Sequence, residues 1–447
     1  MLTLLLACVP WKRAYAPDDG TDPNLHAVLI NGGGSVEGNY SSHLAHLVET
    51  REVLLGRGFP GENIDVFDSD GGHPDKDQAW TWGTLEGEDL LIGTEFEHLV
   101  MEFPTRNSTW EVPREPATTD ALGQWALRHE NLDDDDVLLL YVTDHGTPEG
   151  LNLWYETLYH HQLQSLLTSN EARVVVAMNQ CFSGGFETAL DPHQGQCGLF
   201  AVPGDRMSFG CYPILDERTG HAFALVDALM WANTVDEAHA AVSLSDDAPD
   251  VPMLSSDLLL ERVMEEVEFN GDVHEVPGVA ALAERFGLEP VHTLDALYEL
   301  IEQDKRAMAE SEEALMDRMD ALAAANAWNA RRAPAPPSVE GLPQKAATEL
   351  LVSHYRAHAE ADGTWPGLQK LIAAAEQAGE AFMARSTREA VRLRQLVLVR
   401  RTAVHSLPRD LLGDYEAFRQ CETEPLGTPP STRPETLPPL TWRDQAL

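Results

Sequence analysis

The chain has 447 residues, 43% of them hydrophobic, which is enough to bury a large core and, by length, to form two or three domains. Its formal charge is −42, and only five of its 31 basic side chains are lysines. Such an excess of carboxylates repels phosphate backbones and anionic membranes, which excludes nucleic-acid binding as the core function and otherwise reads as a solvated acidic surface.

In chain order, Leu2 to Ala7 is a short apolar stretch, and Leu5-Leu6-Ala7-Cys8 resembles the lipobox of bacterial lipoproteins, whose cysteine is lipidated. The stretch is shorter than the usual ~7–15 residues and no basic residue precedes it. The expectation is a cell-envelope lipoprotein or secreted bacterial protein anchored through Cys8, with a misplaced start codon explaining the short signal; the alternative is an unprocessed cytoplasmic chain. No other segment approaches the ~18 apolar residues of a membrane span. His26 to Ile30 reads as a first strand, and Leu44, Leu47, Val48, Leu54 and Leu55 mark one face of a helix stopping at Gly56 and Gly58. Ile64 to Phe67 is a second strand, and Asp68-Ser69-Asp70-Gly71-Gly72 after it is turn chemistry rather than a calcium loop, since Ala79 holds the twelfth position. Gly72 to Arg128 fits a loop or insertion. Asp133 to Asp136 fits a solvated turn better than a calcium site.

Two apolar runs then read as buried central strands of a parallel sheet. Val137 to Val142 leads into Asp144-His145-Gly146, and Arg173 to Met178 leads into Cys181-Phe182-Ser183-Gly184-Gly185. Reactive groups in such sheets sit at the carboxyl ends of the strands, so His145 and Cys181 are a candidate base and nucleophile. The interval between the runs leaves room for one crossover helix, supplied by Leu158 to Thr168. No cysteine–histidine set has zinc spacing, and neither metal nor cofactor is expected. Cys197 and Cys211 flank the Gly198 to Val202 strand and are either a disulfide, if the protein is exported, or ordinary small buried residues. Cys421 has no evident partner. Ala222 to Trp231 is a further helix, and Ser243 to Pro252 is a polar, proline-bearing boundary.

Beyond Leu258 the pattern becomes helical. Leu294, Leu297, Ile301, Met308, Leu315 and Leu322 recur at helical spacing, Arg331 to Pro337 is a proline-rich linker, and Thr348 to Val404 is again helix-like. Seven arginines from Arg385 to Arg409 face only Glu389, an island of local charge +6. The nearest partner of opposite sign is the chain's own acidic first half, so intramolecular docking of the helical part through exposed, salt-screened charges is expected. The proline-rich tail after Pro425 reads as disordered.

Tyr141 to Gly146, Cys181 to Gly185, and the block from Ala27 to Ile30 through Asn39-Tyr40-Ser41-Ser42-His43 to Val66 resemble the caspase-like cysteine peptidases, closest to the legumain-type (hemoglobinase) group, over about residues 25–263. The resemblance implies an α/β fold, a mostly parallel sheet flanked by helices, followed by an all-α C-terminal domain. It divides the chain into an N-terminal segment (1–22), a peptidase domain (23–262), a helical domain (263–425) and a tail (426–447). It implies a cysteine endopeptidase acting on protein or peptide substrates through Cys181 and His145, with the N–H groups of Gly146 and Cys181 binding the oxyanion and the helical domain restraining the enzyme until cut at exposed segments near 331–337 and 243–252. Two departures from the legumain pattern stand out. Asn179 occupies the position of a glutamate near the specificity pocket, leaving Asn179, Asp205 and Ser208 as pocket candidates; and either Asn31 or Ser35, or neither, steadies His145. The competing reading is a non-catalytic, envelope-attached binding protein that keeps the fold. An intact His145/Cys181 pair favours the enzyme.

Overall fold

The computed structural model of the chain describes residues 24–427 except 82, 170, 211–217 and 265–266. Cys8 with its lipobox-like segment, Cys211 and nearly all of the proline-rich tail therefore lie outside the described residues.

Six strands build one sheet: β1 (Leu25–Asn31), β2 (Ile64–Asp68), β3 (Val137–Val142), β4 (Arg173–Met178), β5 (Gln196–Phe200) and β6 (Met253–Leu254), in the spatial order β6-β5-β4-β3-β1-β2. Every pair is parallel except β5 with β6. All six residues of β3 and five of the six in β4 are buried, as a sheet covered on both faces requires. This is the mostly parallel, helix-flanked architecture expected. The crossover from β3 to β4 carries the helix His160–Leu167, preceded by a three-stranded antiparallel ribbon (Gly146–Thr147, Gly150–Leu153, Glu156–Tyr159). The 72–128 stretch is more ordered than its composition suggests. It pairs Gln78–Ala79 with Thr105–Arg106 and ends in the helix Thr119–Arg128, where the Thr118 hydroxyl accepts the Ala121 N–H and Leu122 and Trp125 bury against the sheet.

The helical half consists chiefly of Leu294–Arg332, Gln344–Asp362, Trp365–Thr402 and Arg409–Thr423. The first and third run antiparallel, with Arg385 bonding the Ala307 carbonyl and Gly379 beside Leu315. Among the described residues no helix is long and apolar enough to cross a membrane. This half is not set apart from the sheet. Ala390, Val397, Phe418, Cys421 and Leu426 share the sheet's own hydrophobic core.

Three sequence readings need correction. The disulfide joins Cys197 on β5 to Cys421, 224 residues later, and not to Cys211. Ser243 to Pro252 is no exposed boundary. Its Asp246, Asp250 and Val251 are buried, because the backbone carbonyls of Ser243, Asp246, Ala248 and Asp250 all accept hydrogen bonds from Arg394. The arginine island, finally, is in large part not an exposed, screened patch. Arg394 is 2% exposed, and Arg401 forms a two-pronged pair with buried Asp257, both bonds 2.6 Å.

Candidate active site

The register of the sheet brings the two motifs together. Val142 pairs with Met178 on adjacent parallel strands, so His145 and Cys181 each lie three residues past a matched pair. The 36-residue interval between them (181 − 145) is the register offset itself (178 − 142). Gly146 makes the contact tight: a Cβ built there would stand 2.2 Å from the Cys181 carbonyl oxygen and 2.7 Å from Gln180 Cγ. Only glycine fits without separating the two loops. Phe182, directly after Cys181, sits in the left-handed region at φ 57°, which throws the chain into a sharp turn at a cost of about 1–2 kcal/mol. Its N–H donates to the Arg206 carbonyl at 2.7 Å.

His145 is steadied by backbone. Its Nε2 lies 2.9 Å from the Gly38 carbonyl, which can only accept, so Nε2 carries the proton and Nδ1 keeps the lone pair in the neutral ring. Neither Asn31 nor Ser35 fills this role. Asn31 donates to Asn39 and Asp68 in a buried network, while Ser35 shapes the turn that presents Gly38, its carbonyl accepting the N–H groups of Gly38 and Asn39. Asp144 fixes the loop from beneath, accepting the N–H groups of Gly32, Gly33 and His145. Burial pushes its carboxyl up to about 8 against the lowering by those three bonds.

Around His145 stands an aromatic wall that sequence reasoning quoted without assigning it a role. Tyr40 meets the His145 ring edge-on at 4.9 Å between centroids and His43 at 5.1 Å. His43 and His46 lie on the helix Ser41–Gly56 beside its apolar stripe, and both are buried with it. His46 pairs with the Thr143 hydroxyl at 2.6 Å, whereas neither ring nitrogen of His43 has a hydrogen-bond partner. Burial holds His43 well below 6.5 and His46 at about 3, so both are neutral near pH 7. Buried polar side chains on a helix that could have been wholly apolar were the available signal.

Cys181 is partly exposed, and its thiol points at the Ser208 carbonyl, 3.5 Å away. Burial, with Asp250 adding to it, raises the thiol above its ordinary value, and burial lowers His145. Near pH 7 the pair is therefore a neutral thiol and a neutral imidazole. Of the pocket candidates, Ser208 reaches the Cys181 thiol through its backbone and Asp205 is exposed on the same loop. Asn179 does not line an open cleft. It is 3% exposed, donating to the Val142 carbonyl at 2.6 Å and meeting His221 Nδ1 at 2.8 Å. The Asp133–Asp135 carboxylates cluster at the surface but bond within their own turn, Asp133 accepting the Asp135 N–H.

Compared with known proteins, residues 25–247 match the model of the Peptidase C13 family. A search of curated protein sequences finds no match.

Proposed function

Since the chain belongs to the peptidase C13 family, the legumain-type cysteine peptidases, through its residues 25–247, we propose that it is an endopeptidase in which Cys181 is the nucleophile and His145 the proton carrier. The observation that carries this reading is the matched register that sets both residues three positions past paired strand ends, with Gly146 against the Cys181 carbonyl.

In this reading a peptide enters over the carboxyl ends of β3 and β4. His145 Nδ1 takes the thiol proton, drawing it from the Ser208 carbonyl, and Cys181 Sγ attacks the peptide carbonyl carbon. Negative charge gathers on the carbonyl oxygen, where the N–H groups of Gly146 and Cys181 receive it. The imidazolium gives its proton to the leaving amine, the C–N bond breaks, and an acyl-thioester remains. Water, deprotonated by His145, then attacks the thioester and restores the thiol. The Gly38 carbonyl favours the imidazolium at each stage by keeping Nε2–H engaged.

The Cys197–Cys421 bond supports an exported protein, because thiols stay reduced in most cytosols. Specificity falls to the exposed loop carrying Asp205, Met207 and Ser208 rather than to Asn179.

Purified protein should cleave members of a peptide library. Cys181→Ala should abolish that activity with folding intact, His145→Ala should lose about as much, and the double variant should lose little more. Cleavage by the Cys181→Ala protein would overturn the assignment.

A further inference from the structure

One loop walls the nucleophile, a second braces the first, and one helix of the C-terminal half holds them both. The first loop, 203–210, touches the nucleophile segment twice, through the Phe182 N–H on the Arg206 carbonyl at 2.7 Å and the Cys181 thiol on the Ser208 carbonyl at 3.5 Å. The second, 243–252, carries Asp250, fully buried, whose carboxylate accepts the Phe209 N–H at 2.8 Å and the His221 N–H at 3.3 Å. The first loop is therefore clipped to the second through Asp250.

Both loops end on the helix Trp365–Thr402. Glu389, 0% exposed, grips the Arg206 guanidinium with both oxygens, at 2.9 and 2.6 Å. Arg394 spends its guanidinium on the second loop, with Nε on the Asp250 carbonyl at 2.8 Å, Nη1 on the Ser243 and Asp246 carbonyls at 3.0 Å each, and Nη2 on the Ala248 carbonyl at 2.9 Å. The helix is itself fixed to the catalytic half by Arg401 on Asp257, Arg400 on Glu261 at 3.1 Å, and the buried Ala390 and Val397. A planar fork engaging three loop carbonyls and the Ser243 carbonyl at the preceding helix end defines loop shape, and a two-pronged pair on the buried Glu389 carboxylate defines loop position.

We propose that Glu389 and Arg394 are positioning residues for Cys181, so that the C-terminal helix sustains the active site instead of only restraining it. The proposal rests on Cys181 as the nucleophile. Through Glu389 the helix sets where Arg206, and hence Phe182 and Ser208, stand; through Arg394 it sets where Asp250 holds Phe209.

The test uses the full chain with Glu389→Gln, Arg206→Gln and their combination, and Arg394→Lys, beside Arg332→Gln, which breaks a remote pair with Asp362 on the helical half. Kinetics are measured well below each variant's Tm. Misplacement by about 1 Å predicts a fall in kcat of about a hundredfold with KM within threefold. The double variant should fall no further than the worse single one, because both act through one link. Arg332→Gln should keep wild-type kcat. Variants that lose Tm but retain kcat, or a double variant whose losses multiply, would overturn the proposal. Should Glu389→Gln fail to fold, Glu389→Asp, which keeps the charge but shortens the reach, is read in its place with the same expectation. If the wild-type chain cleaves no peptide, the same cycle is read on Cys181 alkylation by iodoacetamide. Rates changed at least threefold and non-additively then sustain the positioning role while the peptidase reading fails, and unchanged rates refute the role itself.

Discussion

Replacing Gly146 by alanine is the most discriminating single change. The new Cβ would lie 2.2 Å from the Cys181 carbonyl oxygen, 2.7 Å from Gln180 Cγ and 3.2 Å from the Cys181 carbonyl carbon, where ordinary contact begins at 3.4 Å. Two of those three atoms are backbone, so no side-chain rotation relieves the overlap, and the loops after β3 and β4 must part by roughly 1 Å. Overpacking of this kind costs about 1–3 kcal/mol of stability. The larger effect falls on the reaction, because the separation moves one proposed oxyanion donor and the base away from the sulfur together; a loss of about 10²–10³ in kcat is expected. The assay is steady-state cleavage of a fluorogenic peptide by wild type and Gly146→Ala, with thermal unfolding of each and active-site titration by a thiol-directed peptidyl probe. Retention of kcat within threefold at a wild-type Tm would show that the two loops need not touch for catalysis, and the reasoning from their contact would fail.

Asn179→Glu should destabilise the protein rather than retune its specificity. A carboxylate would face the Val142 carbonyl across 2.6 Å with its donor gone, a loss of ~3 kcal/mol or more and several degrees of Tm; an altered cleavage profile at unchanged Tm would contradict this. Reducing the Cys197–Cys421 bond reopens a loop of 224 residues, worth at most ~5 kcal/mol by chain entropy, and should lower Tm by several degrees in a melt with and without a phosphine reductant; an unmoved Tm would refute a stabilising role. Stability should peak in mild acid. Asp144 (about 8), Glu187 (about 7), Glu422 (about 7) and Asp246 (about 6) hold protons in the folded chain that the unfolded chain has released, so stability is lost as pH rises toward 8. His46 and His221 (about 3) and His239 (about 4) stay neutral when folded, so stability is lost as pH falls below 6.5. A denaturant midpoint higher at pH 8 than at pH 6 would contradict the assignment.

The strands, and the meeting of His145 with Cys181 at their ends, were legible because their signals are local. Val137 to Val142 and Val174 to Met178 are unbroken apolar runs, and the interval between the motifs equals the register offset of the two neighbouring strands. What escaped was written at long range. Cys421 finds Cys197 across 224 residues, and no spacing rule reaches that far. Ser243 to Pro252 looked like a boundary because its polar groups are satisfied by Arg394, a side chain read separately as part of a charged island. The partner of His145 was invisible for another reason. It is the Gly38 carbonyl, and a backbone oxygen leaves no mark in an amino-acid code.

Leu25 opens β1, and at the far end of the described chain the Leu426 carbonyl accepts from Arg57 while Gly427 lies against the Leu25 side chain. The described part of the polypeptide thus nearly closes on itself, at the strand ends remote from Cys181. Along β1 that is a separation of about 20 Å from the cleft. A tag joined at residue 24 or residue 427 would stand on the side of the sheet away from Cys181. A short peptide bridging 427 to 24 would allow the chain to be reopened in the exposed stretch around 334–341, giving a permuted molecule with the same sheet and the same nucleophile.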